Sequence, residues 1–78
     1  NKTITSNKYS DLISWLKSAR VSQGFSMREL ASLIGQPHSF IGKVETMERR
    51  LDILEYVTYC EALNISPEEG LKYLKSST

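Results

Sequence analysis

Residues 26–45 read SMRELASLIGQPHSFIGKVE, two short helical segments around a Gly-Gln-Pro break. Ser26 can cap the first by accepting a backbone N–H, and Glu29, three residues on, can reach back to the Ser26 amide, which completes a capping box. Phe25 and Leu30 flank this cap at the spacing of a hydrophobic staple. Leu30, Ala31 and Ile34 then recur at helical spacing, and Gly35 supplies the permissive backbone that ends the helix. Pro37 is expected to begin the second helix, which runs to Thr46, because proline tolerates the first helical position and fixes φ there. On that helix Pro37, Ile41 and Val44 form an apolar stripe, while Ser39, Gly42 and Lys43 face the other way. A short rod with a greasy back and a small, polar, basic front is suited to entering a groove.

The rest of the chain supplies what such a rod needs behind it. Its 78 residues make one domain, near the lower limit for a self-sufficient core, and an apolar fraction of 40% argues against disorder throughout. No apolar run is long enough to span a bilayer and no signal peptide is visible, so a cytoplasmic location is expected, with no membrane partner. Cys60 is the single cysteine, which excludes an internal disulfide and makes a reducing compartment the default. The net charge of +1 hides an asymmetry. Lys17–Arg50 carries six basic and three acidic residues, whereas Leu51–Leu71 carries five acidic and no basic ones. One end suits phosphates and the other repels them.

In chain order, residues 1–8 form a polar, aperiodic stretch expected to be a flexible tail. The folded domain is expected over 9–75, with a polar end at 76–78. Ser10 or Asp11 can cap a first helix to about Ser22, with Leu12, Ile13, Leu16 and Ala19 on one face and Trp15 off it. After the two central helices and the connection Thr46–Arg50, Asp52 and Glu55 form a second capping box, with Leu51 and Tyr56 as its staple. That helix is expected to bury Ile53, Val57 and Cys60 and to end at Asn64-Ile65. Ser66-Pro67-Glu68-Glu69 opens a fifth helix with a cap and a first-turn proline. The fold class is therefore all-α, a compact five-helix domain.

The segment Arg20–Leu71, with its Gly24, Leu30-Ala31, Gly35, Ile41, Glu45 and Glu48-Arg49-Arg50-Leu51-Asp52, resembles the Cro/lambda-repressor-like (Xre-type) helix-turn-helix family. The resemblance implies a five-helix domain of bacterial or phage origin that binds a two-fold double-stranded DNA operator as a homodimer and represses transcription. It also implies that the second helix of the pair lies in the major groove with its first turn at the base edges. Carried over, His38, Ser39 and Lys43 are the base-reading candidates: Lys43 can donate to guanine O6 or N7, Ser39 donates or accepts, and His38 does either according to tautomer. The bland alternative is a solvated polar face. Phosphate contacts are expected from the helix start at Ser26 and Met27, from Arg28, and from Thr46, Arg49 and Arg50. Arg28 can instead pair with neighbouring acids, and two loop arginines are often only solubilising. Arg20 and Glu45 are implied to form a partly buried ion pair between the first helix and the end of the groove-reading one, and the helical angle of Glu45, close to that of Ile41, agrees.

Two positions depart from the family. Met27 stands where the family usually has a glutamine, so a side-chain contact is lost, and its spacing to Leu30-Ala31 predicts core packing. Met47 stands where a glycine usually follows the second helix, leaving an exposed methionine or a turn that avoids φ > 0. Phe40 is large for its place and is expected to pack against another helix, with contact to a thymine methyl as the alternative. Tyr59, Tyr73 and Leu74 are candidates for a dimer surface in the acidic half, against the plain reading of single exposed aromatics. One histidine, one cysteine and no CxxC, HExxH or glycine-rich phosphate loop argue against an enzyme and call for no metal or cofactor. The same fold also serves as the antitoxin of a toxin–antitoxin pair, with a toxin protein as partner, and as a protein-interaction module without DNA contact; the sequence leaves both open.

Overall fold

Helix α1 (Thr3–Ser22) is the spine on which the other elements rest: α3 (Phe40–Glu45), α4 (Ile53–Leu63) and α5 (Pro67–Leu71) all pack on it, and α2 (Met27–Leu33) packs on α3. The computed structural model describes residues 3–75, with side chains from residue 8 to 75; Asn1, Lys2 and the polar end 76–78 lie outside the described residues. Among the described residues there is no strand.

The first helix begins at Thr3, ahead of the cap expected at Ser10 or Asp11, so most of the tail expected over 1–8 is helical backbone. The cause is tertiary. Tyr9 accepts a hydrogen bond from the Leu51 amide at 3.3 Å and lies under the Arg50 guanidinium, 5.0 Å from its ring centroid, which anchors the helix before the apolar stripe starts. Leu12, Ile13 and Leu16 are buried as expected, and Trp15 is half-buried, tilted against Tyr73 with ring centroids 6.1 Å apart.

Four helices end in the same way. A residue in the left-handed region donates its amide to the carbonyl three residues back, and the next amide reaches the carbonyl five back. Gly24 (φ +78°) and Gly35 (φ +71°) do this without strain after α1 and α2. Asn64 (φ +59°) does it after α4, and Met47 (φ +64°) after α3. The turn at Met47 therefore does not avoid positive φ, and the residue is 46% exposed as well.

Both expected capping boxes form: Ser26 with Glu29 on α2 and Asp52 with Glu55 on α4. Ser66 departs from its expected role. Its hydroxyl bonds the Glu68 carboxylate at 2.5 Å and makes no cap bond, although Pro67 does open α5.

The face of α4 is a correction. Ile53, expected in the core, is 76% exposed and its neighbour Leu54 73%, while Tyr56, Tyr59, Cys60 and Leu63 are the buried stripe. The run ILEYVTYCEAL is apolar nearly all round, so periodicity alone does not select the face, and Tyr59 reads as a surface residue while Tyr56 reads as a staple. Tyr56 resolves its polar end by donating to the Pro67 carbonyl at 2.6 Å. Tyr59 is fully buried with its hydroxyl unpartnered among the described residues, so it is not a dimer-surface residue. Burial, and then the nearby Glu45 carboxylate, pushes its phenol well above the ordinary range.

Candidate nucleic-acid interface

Helix α2 is fixed at its start by Ser26 Oγ, which accepts from the Glu29 amide at 3.0 Å, and by Glu29 Oε1, which accepts from the Ser26 amide at 2.9 Å. Leu30 and Ala31 bury its inner side. The Glu29 carboxylate thus occupies the helix start, where it opposes an approaching phosphate at Ser26.

The second helix is shorter than the expected span 37–46. Pro37 and His38 belong to a turn closed by the Phe40 amide on the Pro37 carbonyl at 2.9 Å, and α3 proper runs Phe40–Glu45. Pro37 is exposed and takes no part in the apolar stripe. Ser39 at the helix start makes no side-chain cap bond, which leaves its hydroxyl for an outside partner. Ile41 and Val44 are fully buried, and Phe40 is 4% exposed beneath the Arg49 guanidinium, 4.8 Å from its ring centroid. His38, Ser39 and Lys43 are exposed, with Gly42 half-buried on the same side. The orientation is thus the expected one: aliphatic side inward, polar side outward.

Met27 does not join the core. It is 40% exposed, and a Cβ placed on Gly42 would lie 3.7 Å from its Sδ, so the thioether sits beside α3 at Gly42.

Glu45, the last residue of α3, is tied to α1 by Arg20. Nε donates to Oε2 at 2.7 Å and Nη2 to Oε1 at 3.1 Å, while Nη1 donates to the Phe25 carbonyl at 2.8 Å. Only 9% and 4% of the two side chains is exposed. This two-point fork is the strongest type of side-chain hydrogen bonding available to the fold.

The expected phosphate ligands are differently placed. Arg28 is exposed and makes no ion pair among the described residues. The Thr46 hydroxyl lies 3.0 Å from the Gly42 carbonyl, 3.3 Å from that of Lys43 and 3.1 Å from the Glu48 carboxylate, so it closes the helix end. Arg49 is held by both oxygens of Glu55, at 2.8 and 2.9 Å. The hydrogen bond to Glu55 pushes the Arg49 guanidinium up from its ordinary range; Arg49 first, and then the Asp52 amide, hold the Glu55 carboxyl below its own. Arg50 stacks on Tyr9. The Arg49–Glu55 pair was missed by the sequence reading, which saw Glu55 only as a cap partner; no spacing rule links two residues across an irregular connection. Tyr73 and Leu74 are 40% and 39% exposed, far along the chain from the exposed Leu54 and from Ile53, which was expected in the core.

The arrangement can be set beside known proteins. The sequence profile described as helix-turn-helix matches residues 16–70. An XRE-family like protein from Pseudomonas syringae pv. tomato str. DC3000 is similar at 38% identity and a TM-score of 0.86, over 94% of this chain and 89% of that one. The restriction-modification controller protein C.AhdI from Aeromonas hydrophila is similar at 27% identity and a TM-score of 0.69, over 90% of this chain and 98% of that one. No curated protein sequence matches. The chain belongs to the XRE-type (Cro/C1-type) helix-turn-helix family of DNA-binding transcription regulators.

Proposed function

We propose that this protein is a homodimeric repressor that reads the major groove of a two-fold operator with the turn and helix over residues 38–45. One observation carries the reading: Ile41 and Val44 of the six-residue helix are fully buried while Lys43, and Ser39 at the helix start, stand exposed. Lys43 donates to guanine O6 or N7, the uncapped Ser39 hydroxyl reads either base edge, and His38 flanks them. Arg28 and Arg50 supply phosphate contacts. Arg49 contributes its field, although Glu55 partly neutralises it.

The partner subunit is assigned to the exposed start of α4. Ile53 lines one edge of a surface cavity of about 190 Å³ whose other walls include the apolar Leu12, Leu51 and Leu71 and the polar Arg50 and Asp52. In a two-fold contact each copy would offer its Ile53 to the cavity of the other, the self-complementary arrangement such symmetry requires. Reading successive major grooves of a two-fold operator requires the two helices to stand about 34 Å apart, one helical turn of DNA.

Selection of bound sites from random duplex DNA at physiological salt tests this function. The expected result is a two-fold site whose preference at one base pair per half-site relaxes in Lys43→Ala, with affinity falling steeply as salt rises. Indifference to sequence, or a preference unmoved by Lys43→Ala, would remove the base-reading assignment. Ile53→Asp is expected to yield monomers in sedimentation, and an unchanged dimer would relocate the subunit contact.

A further inference from the structure

We infer that the notch at Gly42, walled by Met27 and flanked by Ser39 and Lys43, receives the 5-methyl group of an operator thymine, making Met27 and Gly42 specificity determinants. The inference rests on the groove-reading function proposed above. Glycine is the poorest helix former after proline, yet Gly42 sits in the middle of α3. Its backbone does not demand it, because the positive-φ glycines are Gly24 and Gly35. Packing does not demand it either. Among the described residues a Cβ there would meet Met27 Sδ alone, at 3.7 Å, an ordinary van der Waals contact. Gly70 is the contrast, for there a Cβ would run into Tyr56, Trp15 and Leu12. Alanine at 42 would fit the fold and favour the helix, so what the bare backbone gains is close approach by something outside the chain.

Met27 indicates what approaches. The residue is 40% exposed, its thioether is polarizable and without a donor, and it makes the wall beside Gly42 apolar between a hydroxyl and an ammonium. On the major-groove edges of the four bases, thymine alone presents an apolar group, its C5-methyl. Lys43, adjacent on the chain, suits a guanine, so the expected element is a T·A pair neighbouring a G·C pair.

The test starts from the operator selected above and replaces each thymine in turn by uracil, which removes the methyl group and nothing else. Dissociation constants follow from fluorescence anisotropy. One thymine per half-site is expected to lose about three- to fivefold in affinity, the size of one buried methyl group. That penalty should vanish in Gly42→Ala, which should also melt above the parent protein, and in Met27→Ala, but persist in Met27→Leu. Specific binding with no uracil penalty at any position overturns the notch while leaving groove reading intact. So does a penalty unchanged in both Gly42→Ala and Met27→Ala, or a Gly42→Ala protein no more stable than its parent. Failure of every duplex to bind specifically removes the function and the notch together.

Discussion

Arg20→Ala is the sharpest test of how the groove-reading helix is held. The substitution deletes the fork to Glu45 (2.7 and 3.1 Å) and the bond to the Phe25 carbonyl (2.8 Å) together. It leaves a carboxylate whose side chain is 4% exposed without its counter-charge. Breaking a buried pair from one side costs about 3–5 kcal/mol. A chain of 78 residues has a total stability of roughly 4–12 kcal/mol. The variant therefore forfeits about a quarter of its stability or more, and at about 4–8 °C per kcal/mol the midpoint should fall by roughly 12–40 °C, or the cooperative transition should disappear. Thermal melts followed by far-ultraviolet circular dichroism measure this. A fall of less than about 5 °C would refute the reasoning, since it would equate the pair with an exposed one. The double variant Arg20→Met/Glu45→Leu separates charge from packing. With both halves apolar no ion is stranded, and most of the loss should be recovered. In the temperature range where Arg20→Ala is folded, its selected base preference should match the parent, because neither member of the pair faces the groove.

Met47→Gly relieves a methionine at φ +64° and should stabilise the protein by about 1 kcal/mol, read as a higher midpoint; a lower one would mean that the half-exposed side chain packs usefully. Gly70→Ala should have the opposite effect. Its Cβ would lie 2.9 Å from Leu12 Cδ1 and closer still to the Tyr56 hydroxyl and the Trp15 ring, so α5 must shift, at a cost of about 1–3 kcal/mol visible in the melt and in Trp15 fluorescence. The Glu55 carboxyl is held below its usual value of 4.5, chiefly by Arg49. Its contribution to stability is therefore complete above that value and lost as the pH falls through the lowered one. Denaturation midpoints measured across that range should drop on acidification less steeply in Glu55→Gln than in the parent protein.

The parts legible in sequence were those governed by local chemistry. The boxes at Ser26 and Asp52, the glycines closing α1 and α2, and the inward set of Ile41 and Val44 depend on neighbours within a turn or two. Arg20–Glu45 came from the family resemblance, since 25 residues separate the partners. What escaped was decided at long range or by degeneracy. Helix α4 offers apolar residues in nearly every direction, and the choice of Tyr59 over Ile53 for the core follows from how α4 meets α1 and α5. Helix α1 extends back to Thr3 because Tyr9 is caught by Leu51 and Arg50, forty residues away. Met27 read as core because its spacing to Leu30 and Ala31 is correct, but spacing cannot reveal that it lies beside Gly42 of the next helix and stays 40% exposed.

Six residues cannot hold a helix by themselves in water, since nucleation alone outweighs so few hydrogen bonds. The pose of α3 is borrowed from three directions: the core beneath Ile41 and Val44, the Arg20 clamp on α1, and the Arg49–Glu55 pair that lays a guanidinium over Phe40. Side chains so held lose little freedom on meeting a partner, which is the benefit of preorganisation. The same surroundings contain two locally poor choices, glycine at 42 and a left-handed methionine at 47. Poor local choices gather where function competes with folding, but these two differ in kind. Replacing Gly42 by alanine should raise stability and lower operator affinity together, because its bare backbone is where the partner approaches. Met47→Gly should raise stability with affinity unchanged, because the strain lies in the turn beyond α3 and no outward-facing group depends on it.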